Sequence, residues 1–262
     1  MKENKRKTVS LSMITYELRN VTGNPFVHIF GIGLPIFFLF IITRIVVSNL
    51  QDTSLIKTAS TSVFLGISTI IPMAMILMGY SVIQSQDLEK GIPERLQLFG
   101  IKQHITICNR IISELIFLSA AIILYFIVGI IFMDLQTPVI SGIIIYIFCI
   151  LVFSTICFIL GHAIATLLRK FSLTYCIVML LYFVFMIFGG MMGITYDNMS
   201  APMQAVAKLL PITYFNKDFY TIWTGNSYNF VPMLQSYLFL GAISGVLLFI
   251  ALKKDRRKGN LS

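Results

Sequence analysis

Two groups of residues hold the side chains of this 262-residue chain that are equipped for chemistry or recognition. The first lies in QSQDLEKGIPERLQLFGIKQH, residues 84–104, where Glu89, Glu94 and Arg95 stand beside Leu96, Leu98 and Phe99. Charges flanking apolar side chains suit a protein contact, because ion pairs set register while apolar groups fill a groove. The second is Arg110 and Glu114, spaced i, i+4 inside an apolar run. Ionisable groups at membrane depth are functional candidates, and this spacing puts the two on one helix face. Two readings stand for the pair: mutual neutralisation, or a role in substrate passage.

No catalytic or metal-binding residue is assigned. His28, His104 and His162 are far apart in sequence, and GxxxxGK[ST], HExxH and GxSxG are absent. Any ATP hydrolysis must therefore come from a separate subunit. Cys108, Cys149, Cys157 and Cys176 fall within or at the edges of apolar runs without CxxC spacing, as small core hydrophobes do. Arg44 is expected to snorkel to a surface and His162 to hydrogen-bond in a helix interface.

The elements that position these residues follow from composition. The chain is 57% hydrophobic and 12% charged, with a mean hydropathy of +0.86, outside the balance of a soluble domain. An all-α integral membrane protein follows, a single polytopic domain over 1–262. Apolar windows predict six spans at 26–49, 60–83, 105–133, 139–168, 172–195 and 231–252, each long enough for a hydrocarbon core of about 30 Å. A barrel would show polar/apolar alternation, which these runs lack. Pro35 and Pro72 are candidate helix breaks, and Gly189 with Gly193 and Gly241 with Gly245 have GxxxG spacing.

With six spans and both termini inside, 16 of the 20 Lys and Arg residues fall inside and only Arg44, Lys57, Lys208 and Lys217 outside. That asymmetry predicts cytoplasmic termini, a cytoplasmic leader at 1–25, a cytoplasmic loop at 84–104 and a basic tail at 253–262. The net charge of +9 is thus a topology signal and implies no nucleic acid. Leu11, Ile14, Leu18 and Val21 make an apolar stripe that predicts an amphipathic helix on the inner leaflet. In the loop, Gly91 ends one helix, Pro93 opens a short second one, and Gly100 ends it. Residues 196–230 predict short external re-entrant helices. One carries Met203, Val206, Ala207 and Leu210, and another Phe215, Phe219, Ile222 and Trp223. Neither is long enough to cross.

Glu89, Gly91, Glu94, Arg95 and Leu96 spell ExGxxERL, which resembles the signature of type-2 ATP-binding-cassette exporter permeases. The following LFGIK lacks the proline usual near that point. LPITYFNKDFYTIW, residues 210–223, is similar to the LPxxY element that the family carries before its last span. The resemblance covers nearly the whole chain. It implies that Glu89, Gly91, Pro93, Glu94, Arg95 and Leu96 form a coupling helix for a separate ATPase. It further implies two ATPase copies carrying ATP and Mg, a second permease copy as homodimer or heterodimer, and the plasma membrane as location. Pro211, Tyr214, Phe215, Phe219 and Trp223 become candidates for an external gate, in competition with an aromatic anchor belt. An antimicrobial or cytolytic peptide, or a drug, is the expected cargo. The rival readings are a secondary ion-coupled carrier using Glu114 and a non-transporting scaffold or sensor; no inverted repeat of the carrier kind is evident.

Overall fold

The computed structural model describes residues 11–48, 50–192 and 194–259. Lys2, Lys5, Arg6 and Lys7 of the leader, Gly193 of one GxxxG pair and the tail beyond Gly259 lie outside the described residues. Six helices are long and apolar enough to span a membrane: span 1 Ile29–Val47, span 2 Thr53–Glu89, span 3 Ile105–Phe132, span 4 Ile140–Leu168, span 5 Phe171–Phe188 and span 6 Val231–Asp255. Among the described residues there is no strand.

Span 2 is the hub. The apolar window of span 2 is 89% buried, against 22–44% for the other five, and it touches spans 1, 3, 4 and 5. Its 37 residues make a helix of about 55 Å, far longer than the hydrocarbon core. The span expected at 60–83 therefore underestimates the helix at both ends, because hydropathy reports lipid contact while backbone hydrogen bonding continues into water. Asp52 caps the start: its Oδ1 accepts from the Ser54 backbone and hydroxyl, both at 2.8 Å. Those donations hold the Asp52 carboxyl below its ordinary range.

Neither candidate proline ends its span, but the α-helix of span 2 is interrupted at Thr69, three residues before Pro72, where the Thr69 N–H turns back to the Gly66 carbonyl at 3.1 Å. Pro35 follows a widened π-turn, Ile29–Gly33, and Pro72 precedes another, Met73–Tyr80. A wider turn absorbs the missing proline N–H and the clash of its ring with the preceding carbonyl. Span 5 stops at Phe188, seven residues before its expected end at 195, because Gly190 turns left-handed (φ 77°) and the Met191 N–H closes back on the Met186 carbonyl at 3.0 Å. Span 6 instead runs on as helix to Gly259, so the basic tail begins as its continuation.

Two further elements and two cysteines depart from expectation. The leader helix, Leu11–Thr22, packs against span 3 and buries Glu17 and Val21, whereas Leu11 of the apolar stripe is 82% exposed. Beyond span 5 the expected pair of external helices is three, Ala201–Ala207, Pro211–Lys217 and Phe219–Trp223, because the helix after Pro211 is interrupted at Asp218. The latter two press into spans 2 and 4, and of the first stripe Ala207 and Leu210 are buried while Val206 stays exposed. All four cysteines are free; Cys149 and Cys157 are buried as expected, but Cys108 and Cys176 are exposed.

Candidate functional site

The leader helix, the 89–102 connection, the junction of spans 4 and 5 and the end of span 6 meet at one end of the bundle. Gly91 takes the left-handed conformation (φ 65°), which a side chain would oppose, and Pro93 sits in the first turn of the loop helix, Ile92–Leu98. Gly100 ends it in a Schellman turn: the Gly100 N–H donates to the Gln97 carbonyl at 2.9 Å and the Ile101 N–H to the Leu96 carbonyl at 3.0 Å. The helix is thus hung between two left-handed glycines. Leu98 and Phe99 are 88% and 75% exposed.

The motif acids are engaged inside the chain. Glu89 accepts the Phe171 N–H at 2.8 Å, at the start of span 5. Glu94 lies 3.9 Å from Arg169, which also pairs with Asp255 of span 6. Leu96 turns with Ile92 and Pro93 into a cleft of about 770 Å³ between the loop and leader helices, while Arg95 is exposed. Of the expected apolar contacts, only Leu98 and Phe99 are free for a partner.

Arg110 forms the polar floor of that cleft. Its Nε donates to Glu17 at 3.0 Å, and its terminal nitrogens donate to Gln84 at 2.9 Å and Asp87 at 2.6 Å. Arg110 and Glu17 are 5% and 3% exposed, so a planar guanidinium with two carboxylates and an amide makes a compensated buried network. Neutralisation between Arg110 and Glu114, expected from local spacing, does not form: partners on the leader and span 2 take every Arg110 bond. Both carboxyl oxygens of Glu114 are buried without a hydrogen-bond partner among the described residues. Nearby, His162 shares a 2.6 Å hydrogen bond with Tyr80 across spans 4 and 2, as its interface position predicted. Sequence reasoning missed Glu17, Gln84, Asp87, Arg169 and Asp255. The one available signal was Glu17, the single acid among the apolar residues of the leader stripe.

At the opposite end, Pro211, Tyr214, Phe215, Phe219 and Trp223 are all buried. The rings of Phe215 and Phe219 stack at 4.7 Å, and Tyr146 of span 4 meets Phe215, Phe219 and Trp223 edge-on. Trp223 Nε1 donates to the Gln136 carbonyl at 3.0 Å. The Tyr214 hydroxyl donates to the Lys208 carbonyl at 3.0 Å, and Tyr228 donates to Asp218 at 3.1 Å, where burial and that carboxylate push its phenol up. This wedge closes the bundle between spans 2 and 4. An apolar cleft of about 530 Å³ lies beside it, lined by Phe64, Phe126, Ile130, Met133 and Trp223 with Asp134 at its polar edge. Arg44 is exposed near the same end.

A family model described as ABC-2 type transporter matches residues 9–222, a stretch that takes in the leader helix, the loop helix and the aromatic wedge up to but not including Trp223. No curated protein and no solved structure matches the chain.

Proposed function

The chain belongs to the ABC-2 type transporter family and is a membrane permease of an ATP-binding-cassette transporter; from that premise we propose that it exports an amphipathic or hydrophobic substrate, a cytolytic or antimicrobial peptide or a drug. Two copies of a separate ATPase subunit bind ATP and Mg and grip the loop helix from the cytoplasm. A second permease copy completes the pathway in the plasma membrane, with both termini inside.

The observation that carries this reading is the loop helix itself, a rigid turn fixed at both ends by left-handed glycines and offering Leu98 and Phe99 to an apolar groove. Closure of the ATPases on nucleotide pushes that helix. Its links through Glu89 to Phe171 and through Glu94 to Arg169 pass the push to spans 5, 4 and 6. The apolar cleft beside the aromatic wedge supports an apolar or amphipathic cargo on the exit side.

The test is gentle purification of the tagged chain from native membranes, with partner identification and vanadate-sensitive ATP turnover read on one sample. A stoichiometric P-loop ATPase is expected. Replacing Leu98 and Phe99 with Asp should weaken its binding by about tenfold or more, the size of a lost interface hot spot, with membrane insertion unchanged. Glu94→Lys should leave the ATPase bound but uncouple its turnover from uptake of labelled amphipathic peptide into inverted vesicles. Transport that persists without any ATPase would favour the carrier reading, for which the unpartnered Glu114 is the supporting observation.

A further inference from the structure

Arg110 and Glu114 lie one turn apart on a buried stripe of span 3 that continues through Leu118, Ala121 and Tyr125. The stripe faces the bundle interior. Arg110 is committed to Glu17, Asp87 and Gln84, while Glu114, 1% exposed, has no partner for either oxygen among the described residues. A buried carboxyl without a partner is costly, and the cation four residues away on its own helix is held by two other acids. We propose that Arg110 is a two-position latch of the transport cycle, clasping Glu17 and Asp87 in the arrangement described and moving one helical turn to Glu114 in the other. This rests on the transporter reading given above.

Three features support the exchange. Side chains at i and i+4 lie about 6 Å apart, within the rotamer range of the long arginine stem. Glu17, Gln84, Asp87 and Arg110 all line the 770 Å³ cleft, and Glu114 does not. When Arg110 leaves, water entering the cleft solvates Glu17 and Asp87, while the dry Glu114 gains its cation. Each position leaves acid uncompensated in a different place, which gives the arginine two alternative resting points, as a two-state element requires. The mechanical effect follows from what Arg110 joins. Glu17 belongs to the leader helix, and Gln84 and Asp87 to the last turns of span 2, directly before the loop helix. The leader is further fixed to span 3 by a 3.0 Å bond from the Ser113 hydroxyl to the Ile14 carbonyl. Moving Arg110 therefore unlocks the leader and span 3 from the stem of the loop helix, at the point where ATPase motion enters. Arg110 acts as a positioning residue.

Hydrogen exchange over residues 11–22 tests this in the permease–ATPase complex, nucleotide-free and trapped with ATP and vanadate. Exchange in the wild type is expected to quicken at least tenfold on trapping. Glu114→Gln removes the second position without changing shape. The leader should then stay protected in both states, and vanadate-sensitive turnover should fall at least tenfold while the ATPase still co-purifies. A leader unaffected by trapping in the wild type, or loosened normally in Glu114→Gln, overturns the latch.

A second readout needs no ATPase and keeps the latch separable from the transporter reading. In purified wild-type permease, Glu114→Gln deletes an unpaired buried carboxyl, so Tm should hold or rise. In a Glu17→Gln, Asp87→Asn background Arg110 rests on Glu114, and the same change should lower Tm. One sign in both backgrounds overturns the proposal; absence of any ATPase partner would overturn the transporter reading alone.

Discussion

Position 142 of span 4 accepts nothing larger than hydrogen. A Cβ there would lie 2.9 Å from the Ile222 and Trp223 carbonyl oxygens and 3.0 Å from the Trp223 Cα, all backbone atoms that cannot rotate away. Gly142→Ala is therefore expected to destabilise the protein by about 1–3 kcal/mol, the usual cost of overpacking, seen as a lower Tm in detergent. Gly245→Ala is the control, since a Cβ there meets nothing within 4 Å and alanine improves helix propensity by up to about 1 kcal/mol. Equal losses at both positions would refute the packing argument. The same pair shows a limit of sequence reading. GxxxG spacing singled out Gly241 and Gly245, yet Gly241 makes only ordinary contact with Ile156 and Gly245 none. Of the glycines with that signature, Gly189 does approach closely, a Cβ there lying 3.0 Å from Ile212 Cδ1, and other close approaches fall at glycines without it, such as Gly79 beside Val27 and Gly129 beside Phe64. Spacing marks where two helices are able to meet, whereas the partner surface decides whether they do.

Among the elements, the spans were legible and their polar ends were not. An apolar run of about 20 residues has one stable location in water and lipid, so spans 3 and 4 match their expected limits to within a residue or two. The leader was legible as a helix but not in its orientation. Burial of Glu17 depends on Arg110, 93 positions away, and no local periodicity reports that. Arg110 misled for the same reason, since an i+4 neighbour was outcompeted by partners on two other elements. The short helices after span 5 depend on another non-local tie: Asn216 Nδ2 donates to both the Gly189 and Gly190 carbonyls at 3.0 Å, holding the end of span 5 to the helix Pro211–Lys217. Asn216→Ala removes that shared donor and should cost about 1–3 kcal/mol. The expected readout is faster proteolysis at residues 191–200 with little change at the loop helix. Proteolysis unchanged there would show that the aromatic wedge holds without the tie.

For the whole molecule, the distribution of basic residues follows the two ends of the bundle. Arg19, Lys90, Arg95, Lys102, Arg169, Lys170, Lys253 and Lys254 belong to elements gathered around the loop helix, and Lys57, Lys208 and Lys217 to the end with the aromatic wedge, where Lys57 pairs with Asp134 at 3.4 Å. Positive charge retained inside gives a direct expectation. In a cysteine-free background, Asn226→Cys should react with an impermeant maleimide on intact cells, and Gln97→Cys only after permeabilisation; the opposite pattern would invert the topology. Span 2 has a final consequence for biogenesis. It is the most enclosed helix of the finished bundle and carries many hydroxyls, yet it must enter lipid during synthesis before spans 3, 4 and 5 exist to cover it. Thr61, Ser68, Thr69, Ser81 and Ser85 all donate to carbonyls three or four residues earlier in the same helix. The nascent segment thus reaches the bilayer with these hydroxyls already satisfied by its own backbone, ready to wait there as a lone helix until its later neighbours arrive.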